Sequence, residues 1–233
     1  TGRHAGGKLF LNGQGLAIDD SRLGRDWYST TLFTDSALKF VAEAREEKKP
    51  FLLYLPYCAP HFPLMAPAET IAKFRGKFRA GWDRLREERH ARQKAMDLVS
   101  AAWPLVPRSP DVPAWSSLTP KQQERADEMM AIYAAMVAEV DTNMGRLVAD
   151  LREAGQLDNT IILFLSDNGG NAESGPGGTT RGSPLGGPES TVFLGMEWAT
   201  LNNTPFRRYK HFTHEGGIAT PLIVHWPAGI PAE

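Results

Sequence analysis

Two adjacent polar residues, Asp167 and Asn168, follow a short apolar run and precede two glycines in the segment IILFLSDNGG (161–170). The apolar run predicts a buried strand, because it is short, rich in strand-forming residues and closed by turn residues. Ligands of open α/β sheets bind beyond the carboxyl ends of the strands. A carboxylate beside an amide carbonyl suits a hard, oxygen-seeking cation such as calcium or magnesium. The pair therefore predicts a metal site, and the alternative is that Asp-Asn-Gly-Gly only forms a turn.

A second Asp-Asn pair provides a comparison within the same chain. Asp158 and Asn159 precede this strand and connect it to a helix that ends near Gly155. A turn is sufficient to explain this pair, because parallel sheets bind their ligands at the opposite ends of the strands. We therefore predict a site at the later pair alone.

His61 follows a second predicted strand, 51–57, and two prolines, Pro60 and Pro63, flank it in YCAPHFPLMAP. Because a proline ring fixes φ, this segment is expected to hold the imidazole at a defined angle. A histidine at the carboxyl edge of a sheet can act as a general acid or contact an anion. The alternative is a histidine that packs under a proline-rich loop without a chemical role.

Lys210 stands in a basic segment, RRYKHFTHEGG. Its basic or titratable neighbours are Arg207, Arg208, His211 and His214. A positive group here could neutralise a tetrahedral oxyanion such as sulfate or phosphate. An exposed basic loop is the alternative, and Glu215 is expected to cap or brace the turn before the next strand.

Cys58 is the one thiol that could serve as a nucleophile. Compared with the pattern C-x-P-x-R, the segment matches through Pro60, but Phe62 occupies the arginine position. The cysteine also ends a predicted strand rather than opening a helix. We therefore interpret Cys58 as a small buried hydrophobic residue. A single cysteine also excludes an internal disulfide bond.

The composition is that of a globular protein and gives no sign of nucleic-acid or membrane binding. The chain has 233 residues, of which 42% are hydrophobic and 23% charged, as is ordinary for a globular protein. A net charge of −1 gives no global field for nucleic acid or membrane binding, and no apolar run approaches the about 20 residues that span a bilayer. The basic run 73–94 is expected to form a solvated helix face, and the alternative is that it steers an anionic substrate.

The candidate residues lie between alternating helices and strands. In chain order, the predicted elements are a helix at 34–47, a strand at 51–57, a helix at 129–151, and strands at 161–166 and 221–226. Residues 70–99 are also expected to be helical, LFLNG to contain a short strand, and 169–205 to form a long active-site or insertion loop. The alternation predicts an α/β fold with a mostly parallel central sheet flanked by helices, undivided into domains.

Taken together, these segments resemble the sulfatases of the alkaline-phosphatase-like superfamily, and the arylsulfatase branch in particular. The resemblance is carried by PFLLYLPYCAPHFPLMAP, KFRGKFRAGWDRLREERHARQK, MMAIYAAMVAEVDTNMGRLVADL with LFLSDNGG, and NTPFRRYKHFTHEGGIATPLIVHWP. A fifth, weaker match is YSTTLFTDSALKFV. The matches run in order over nearly the whole chain.

The resemblance implies the hydrolysis of a sulfate ester to an alcohol or phenol and free sulfate. It assigns Asp167 and Asn168 as ligands of one calcium ion, His61 as a contact of the sulfate group and its ester oxygen, and Lys210 as a sulfate contact. His214 and Glu215 would have supporting roles. It also implies a small-molecule or glycan sulfate ester as substrate and a periplasmic, secreted or lysosome-like location. Neither the specific ester nor the oligomeric state follows from it.

The chain departs from the family pattern in its nucleophile. The family uses a formylglycine made from Cys or Ser in C/S-x-P/A-x-R, and no such motif occurs in these 233 residues. The paired aspartates of the family's first strand and its Gly-Lys-Trp-His-like segment are also missing. We therefore expect residues 1–233 to be part of a single catalytic domain, without its N-terminal third and C-terminal subdomain. As an isolated polypeptide it is expected to be inactive or nearly so.

Two alternative functions remain open at this point. One is a phosphonate monoester or phosphodiester hydrolase of the same superfamily. Two-zinc relatives have Asp-His-Gly where this chain has Asp167-Asn168-Gly169, and an amide is a much weaker zinc ligand than an imidazole. One-metal phosphonate hydrolases share the Asp-Asn pair, however. The other alternative is a non-catalytic module that binds sulfated or anionic ligands.

Overall fold

The computed structural model describes residues 9–17, 19–24 and 27–230. The helices of this part are α1 (Ser29–Glu46), α2 (Ala68–Ala72), α3 (Gly81–Ala95), α4 (Pro120–Glu153), α5 (Met196–Asn202) and α6 (Glu215–Ile218). Its strands are β1 (Leu9–Leu11), β2 (Gln14–Leu16), β3 (Ile162–Leu165), β4 (Thr179–Arg181), β5 (Thr191–Phe193) and β6 (Leu222–His225). The chain ends that belong to the predicted 1–233 domain, residues 1–8 and 231–233, lie outside the described residues.

Helix α4 is the longest element, with 34 residues, and its start is set by local chemistry. Thr119 and Gln122 form a capping box, in which each side chain bonds the backbone N–H of the other, and Pro120 occupies the first turn. The apolar face predicted for 129–151 is buried, and Ile132 and Met136 are fully inaccessible to solvent. The prediction of this helix is confirmed, with a start earlier than its apolar face indicated.

Two apolar clusters pack against α4. The smaller cluster joins α4 to α1 through Val41, Leu147 and Leu151, and it also contains Leu157 from the turn that follows α4. The larger cluster contains three tryptophans, whose rings meet edge to face: Trp82 lies 4.8 Å from Trp115 and 5.3 Å from Trp198, measured between centroids. Such aromatic pairs contribute about 0.5–1.5 kcal/mol beyond area burial. This core fixes α5 and the loops next to it.

The α/β class is confirmed, but the pairing of the described strands differs from the mostly parallel sheet that we expected. The pairs β1–β2, β3–β6 and β4–β5 are all antiparallel. Residues 51–57, which would have supplied a parallel neighbour, form no strand. In this segment Leu53 and Leu55 pack on the smaller cluster, while Leu52 is 99% exposed. The expected strand at 51–57 is therefore wrong, because the segment has no hydrogen-bonding partner among the described strands.

Strands 161–166 and 221–226 were predicted correctly in position, as β3 and β6, but the predicted burial of the former is wrong. Leu163 is 60% exposed and Leu165 58% exposed. In the described part of the chain β3 pairs with β6 alone, so most of its surface has no covering layer. The segment 169–205 also differs from the expected loop, since it contains β4, β5 and α5. Its many glycines and prolines interrupt the hydrophobic pattern, so such short strands and helices cannot be recognised from periodicity.

Helices of a length and hydropathy suited to crossing a membrane do not occur in the described residues. The basic run 73–94 contains all but the last residue of α3, whose buried side chains are Trp82, Arg86 and His90. Most of its other charged residues face solvent, as predicted, but Arg86 turns inward and donates to the carbonyl of Val106 at 2.8 Å. One face of this basic helix is therefore part of the core.

Candidate active site

Asp167 and Asn168 follow β3 after one intervening residue, Ser166, at the strand end where we predicted them. The Ser166 hydroxyl donates to the Asn168 carbonyl at 3.0 Å, which shapes the turn locally. The next residue is held from the other side, because Gly169 N donates to the Gly217 carbonyl at 3.0 Å. A Cβ on Gly169 would lie 1.8 Å from the Gly216 carbonyl oxygen, so only glycine fits at this close approach.

Backbone hydrogen bonds join the Lys210 segment to this turn. Lys210 N donates to the Gly170 carbonyl at 3.1 Å. Asn203 connects the same two segments, since its side-chain oxygen accepts from Gly170 N at 2.8 Å and its side-chain nitrogen donates to the Arg208 carbonyl at 3.1 Å. The backbone of Lys210 is therefore held close to the turn of Asp167 and Asn168. The contacts that hold it do not involve the side chains of Lys210, Asp167 or Asn168.

His61 lies beside Lys210, although 149 positions separate them in the chain. The distance from His61 Nε2 to Lys210 Nζ is 3.3 Å. His61 Nδ1 lies 2.8 Å from the Phe62 carbonyl, which can only accept, so we assign the proton to Nδ1. In the neutral ring, the lone pair of Nε2 then faces the Lys210 ammonium, which donates to it.

The proline-rich segment after His61 is fixed to β5. Leu64 N donates to the Val192 carbonyl at 2.8 Å, and the side chain of Leu64 is buried. The Phe62 ring also lies 4.3 Å from the ring of Phe193, measured between centroids. The imidazole is therefore held in place by tertiary contacts in addition to the stiffness that the flanking prolines predicted.

Glu173 is a residue of the site that the sequence did not reveal. Its Oε1 lies 3.1 Å from Lys210 Nζ and 2.7 Å from His211 Nε2. Burial raises the pKa of Glu173, but the hydrogen bonds from Lys210 and His211 together outweigh it, and the pKa is lower than its ordinary value. The carboxylate therefore stays ionised. A lone glutamate in a glycine-rich segment carries no pattern that could have identified it.

The side-chain oxygens of Asp167 and Asn168 are the type of ligand that a hard cation prefers. Within the described ranges, no hydrogen bond or ion pair engages the Asp167 carboxylate or the Asn168 side-chain amide, so their oxygens are available as ligands. Calcium takes about six to eight oxygen ligands. The same ranges contain no group of three or more His, Cys, Asp and Glu side chains that could complete a metal site. The pair therefore accounts for part of a coordination shell.

The other candidates of the basic segment lie around this centre. The Arg208 guanidinium stacks over the Phe212 ring, 4.8 Å from its centroid. His214 forms the N-terminal boundary of α6, and Glu215 is its first residue, with an exposed side chain. The supporting roles expected of His214 and Glu215 stay predictions.

The two comparison residues also have clear positions. Asp158 lies in a short 3-10 turn (Leu157–Asn159) ahead of β3, which agrees with the turn interpretation of this pair. Cys58 is a half-buried free thiol rather than a fully buried one. Its carbonyl accepts from His61 N at 2.8 Å, so its local contribution is to the backbone of the histidine segment.

The structure thus joins the Lys210 segment to the turn that follows Asp167 and Asn168, and it places His61 beside Lys210. The sulfatase family model matches residues 10–233. The chain therefore belongs to the sulfatase family.

Individual relatives agree with this membership. The chain is 34% identical over 223 residues to an uncharacterized sulfatase of Schizosaccharomyces pombe, covering 89% of this chain and 40% of the relative. It is 32% identical over 215 residues to an arylsulfatase of Klebsiella aerogenes, covering 87% and 46%. The solved structure of Ps i-CgsB in complex with k-i-k-neocarrahexaose matches with a TM-score of 0.53 and 27% identity, covering 95% and 31%. The chain thus spans less than half the length of these relatives.

Proposed function

We propose that residues 1–233 form part of the catalytic domain of a sulfuric ester hydrolase and contribute the sulfate-binding half of its active site. The observation that carries this proposal is the 3.3 Å approach of Lys210 Nζ to His61 Nε2, on a loop hydrogen-bonded to the turn of Asp167 and Asn168. Family membership supports the same activity. Concentrated positive charge is what a sulfate group needs when it leaves water.

Lys210 supplies a fixed positive charge to the sulfate group. Its ammonium has three donors, and its side chain is 23% exposed, so a bound anion is only partly screened by water. A sulfate oxygen that accepts from Nζ would lie beside His61 as well. Lys210 therefore binds and orients the anion with the ester oxygen directed at the imidazole.

His61 donates a proton to the leaving oxygen of the ester. Its Nδ1 proton is committed to the Phe62 carbonyl, so the second ring nitrogen, Nε2, is the one that exchanges a proton with substrate. When the ring is protonated, Nε2 donates to the ester oxygen and stabilises the alcohol or phenol as it departs. The carbonyl contact keeps the ring orientation the same before and after this transfer.

One calcium ion, held in part by Asp167 and Asn168, would supply further positive charge to the sulfate oxygens. The nucleophile of the proposed reaction, a formylglycine, has no precursor motif in these 233 residues. We therefore assign no attacking group to this chain. Without one, the polypeptide is expected to bind sulfate and turn over sulfate esters very slowly or not at all.

We propose a small-molecule or glycan sulfate ester as the substrate class. A saccharide is supported by the solved complex of the similar Ps i-CgsB with k-i-k-neocarrahexaose. The 169–205 segment, which borders Lys210 through Glu173, is the part of the chain that would contact the group esterified to sulfate. A periplasmic, secreted or lysosome-like location is proposed from family membership alone.

The proposed function is tested by measuring hydrolysis of 4-nitrophenyl sulfate. This chain would be assayed beside a polypeptide extended upstream of Thr1 and coexpressed with a formylglycine-generating enzyme, each with calcium and with EDTA. Calcium-dependent sulfate release by the extended form, and none by this chain, is the expected result.

Two outcomes would contradict the proposal. Turnover of a phosphonate monoester by the extended form, without sulfate release, would assign the site to a phosphonate hydrolase. Binding of sulfate by an extended form that has no C/S-x-P/A-x-R motif and no turnover would assign it to a non-catalytic module for anionic ligands.

A further inference from the structure

Glu173 places a negative charge next to the cation that should bind sulfate, with Oε1 3.1 Å from Lys210 Nζ. A carboxylate repels an anion, so its presence here has to be explained by another contribution. We propose that Glu173 is a positioning residue, which holds the Lys210 ammonium in the orientation that sulfate requires. This inference rests on the sulfate-binding role proposed above.

The carboxylate is carried by a turn that is attached to the core. Gly175 N donates to the Ala172 carbonyl at 3.0 Å and closes the turn around Glu173. The Ser174 hydroxyl donates to the Leu194 carbonyl at 2.7 Å. Because Leu194 is buried, at 4% exposure, this turn is connected to the packed interior. The backbone of Glu173 is therefore well fixed, so its side chain can orient the Lys210 ammonium.

Lys210 needs such support because a lysine side chain has four flexible carbons and loses considerable rotamer entropy when it is ordered. Its ammonium contacts His61 Nε2 on one side and Glu173 Oε1 on the other. While the His61 ring is neutral, these are its side-chain partners within the described residues, and they use two of its three donors. The third N–H is left for an incoming anion, in a direction set by the other two.

His211 completes the support from the solvent side. Its Nε2 lies 2.7 Å from the same Glu173 oxygen, and its side chain is 65% exposed. His211 adopts a left-handed backbone conformation, with a φ of 77°, which is uncommon outside glycine. The side chain of the residue after Lys210 thus also contacts Glu173. The carboxylate is thus held by both neighbours rather than by one.

Charge and position make opposite predictions for one substitution. Glu173→Gln removes the negative charge but keeps a side-chain oxygen at nearly the same place. If only charge mattered, the loss of repulsion would tighten sulfate binding. If position matters most, the weaker hydrogen bond would free the ammonium, and sulfate would bind more weakly despite the lower repulsion.

The test measures two properties of this chain and of its Glu173→Gln variant. The first is the order parameter of the Lys210 ammonium by 15N NMR, which does not depend on any function. The second is the affinity for inorganic sulfate by calorimetric titration with calcium present. We expect a lower Lys210 order parameter and an affinity about 5- to 10-fold weaker. Glu189→Gln is the matched control, because Glu189 is an exposed glutamate of the same glycine-rich region, and it should change neither.

The role of Glu173 should also depend on Lys210. In a Lys210→Ala background, Glu173→Gln should cause no further loss of sulfate affinity, whereas a purely structural role would cause the same loss in both backgrounds. The positioning role alone would be overturned if Glu173→Gln left the order parameter of the Lys210 ammonium unchanged. It would also be overturned if the variant bound sulfate as tightly as the unaltered chain or more tightly. If the unaltered chain binds no sulfate, the proposed function itself fails, and the anion-binding purpose of Glu173 fails with it.

Discussion

Lys210 Nζ and His61 Nε2 lie 3.3 Å apart although 149 positions separate the two residues. Each is anchored independently, His61 through the segment bonded to β5 and Lys210 through its backbone bond to Gly170. The distance is therefore set by the packing of two loops rather than by either side chain. Substitution of a functional side chain should then change the chemistry of the site while the fold persists.

Lys210→Met should weaken the binding of inorganic sulfate by about 10- to 100-fold, because it removes the partly buried cation but keeps a side chain of similar length. Calorimetric titration with calcium present measures this. Lys121→Met is the control, since Lys121 is exposed at the start of α4, and it should retain normal affinity. Equal affinities in the two variants would remove Lys210 from the site.

We expect calcium to raise the melting temperature and Asp167→Ala to abolish this rise, because the substitution removes the charged ligand of the proposed metal site. Ligand binding at about 100 times Kd stabilises a fold by about 2.7 kcal/mol. The matched control is Asp158→Ala, in the other Asp-Asn pair, which should keep the full calcium effect. The measurement is thermal unfolding in calcium and in EDTA. Loss of the effect in both variants, or in neither, would contradict the assignment.

The contribution of Glu173 to stability should depend on pH. Its pKa in the folded state is below the ordinary value of 4.5, so the folded state favours the ionised form. The stabilisation is complete above the unfolded pKa and is lost as pH falls through the lower, folded pKa. Wild type should therefore unfold at a higher temperature than Glu173→Gln at pH 7, and the difference should shrink below about pH 4.5. A difference that is constant from pH 7 to pH 3 would contradict this origin.

Two glycine substitutions should have opposite effects on the free energy of unfolding. Gly169→Ala would place Cβ 1.8 Å from the Gly216 carbonyl oxygen, so we expect destabilisation of about 1–3 kcal/mol or more and a disturbed turn at Asp167 and Asn168. Gly145→Ala, in the middle of α4 with nothing within 4 Å of its Cβ, should stabilise by about 0.5–1 kcal/mol. Chemical denaturation measures both. Similar changes in the two variants would show that the close approach at Gly169 is absent in solution.

Much of the chain's local organisation could be predicted from its sequence. The apolar spacing within α4 determines its buried face, and the capping box of Thr119 and Gln122 fixes where it starts. The Asp167-Asn168 pair could be placed at the exit of β3 because the short apolar run before it ends in turn residues. These features depend on neighbours within a few positions, which is the range over which periodicity and capping act.

Strand pairing and burial could not be predicted in the same way. Residues 51–57 have the composition of a buried strand, yet they remain unpaired and Leu52 is almost fully exposed. Whether an apolar run becomes a strand depends on a partner edge elsewhere in the chain. The exposure of β3 has the same cause, because its burial depends on neighbouring layers that the sequence of β3 does not specify.

The sequence by itself determined which residue types were available for the site: a carboxylate-amide pair, a histidine between prolines and a lysine in a basic segment. Only the tertiary structure decided that His61 and Lys210 meet, and that Glu173 joins them. The reason is physical. These contacts connect loops that are distant in the chain, and their distances are set by backbone hydrogen bonds and core packing, which leave no pattern around any one of the three residues.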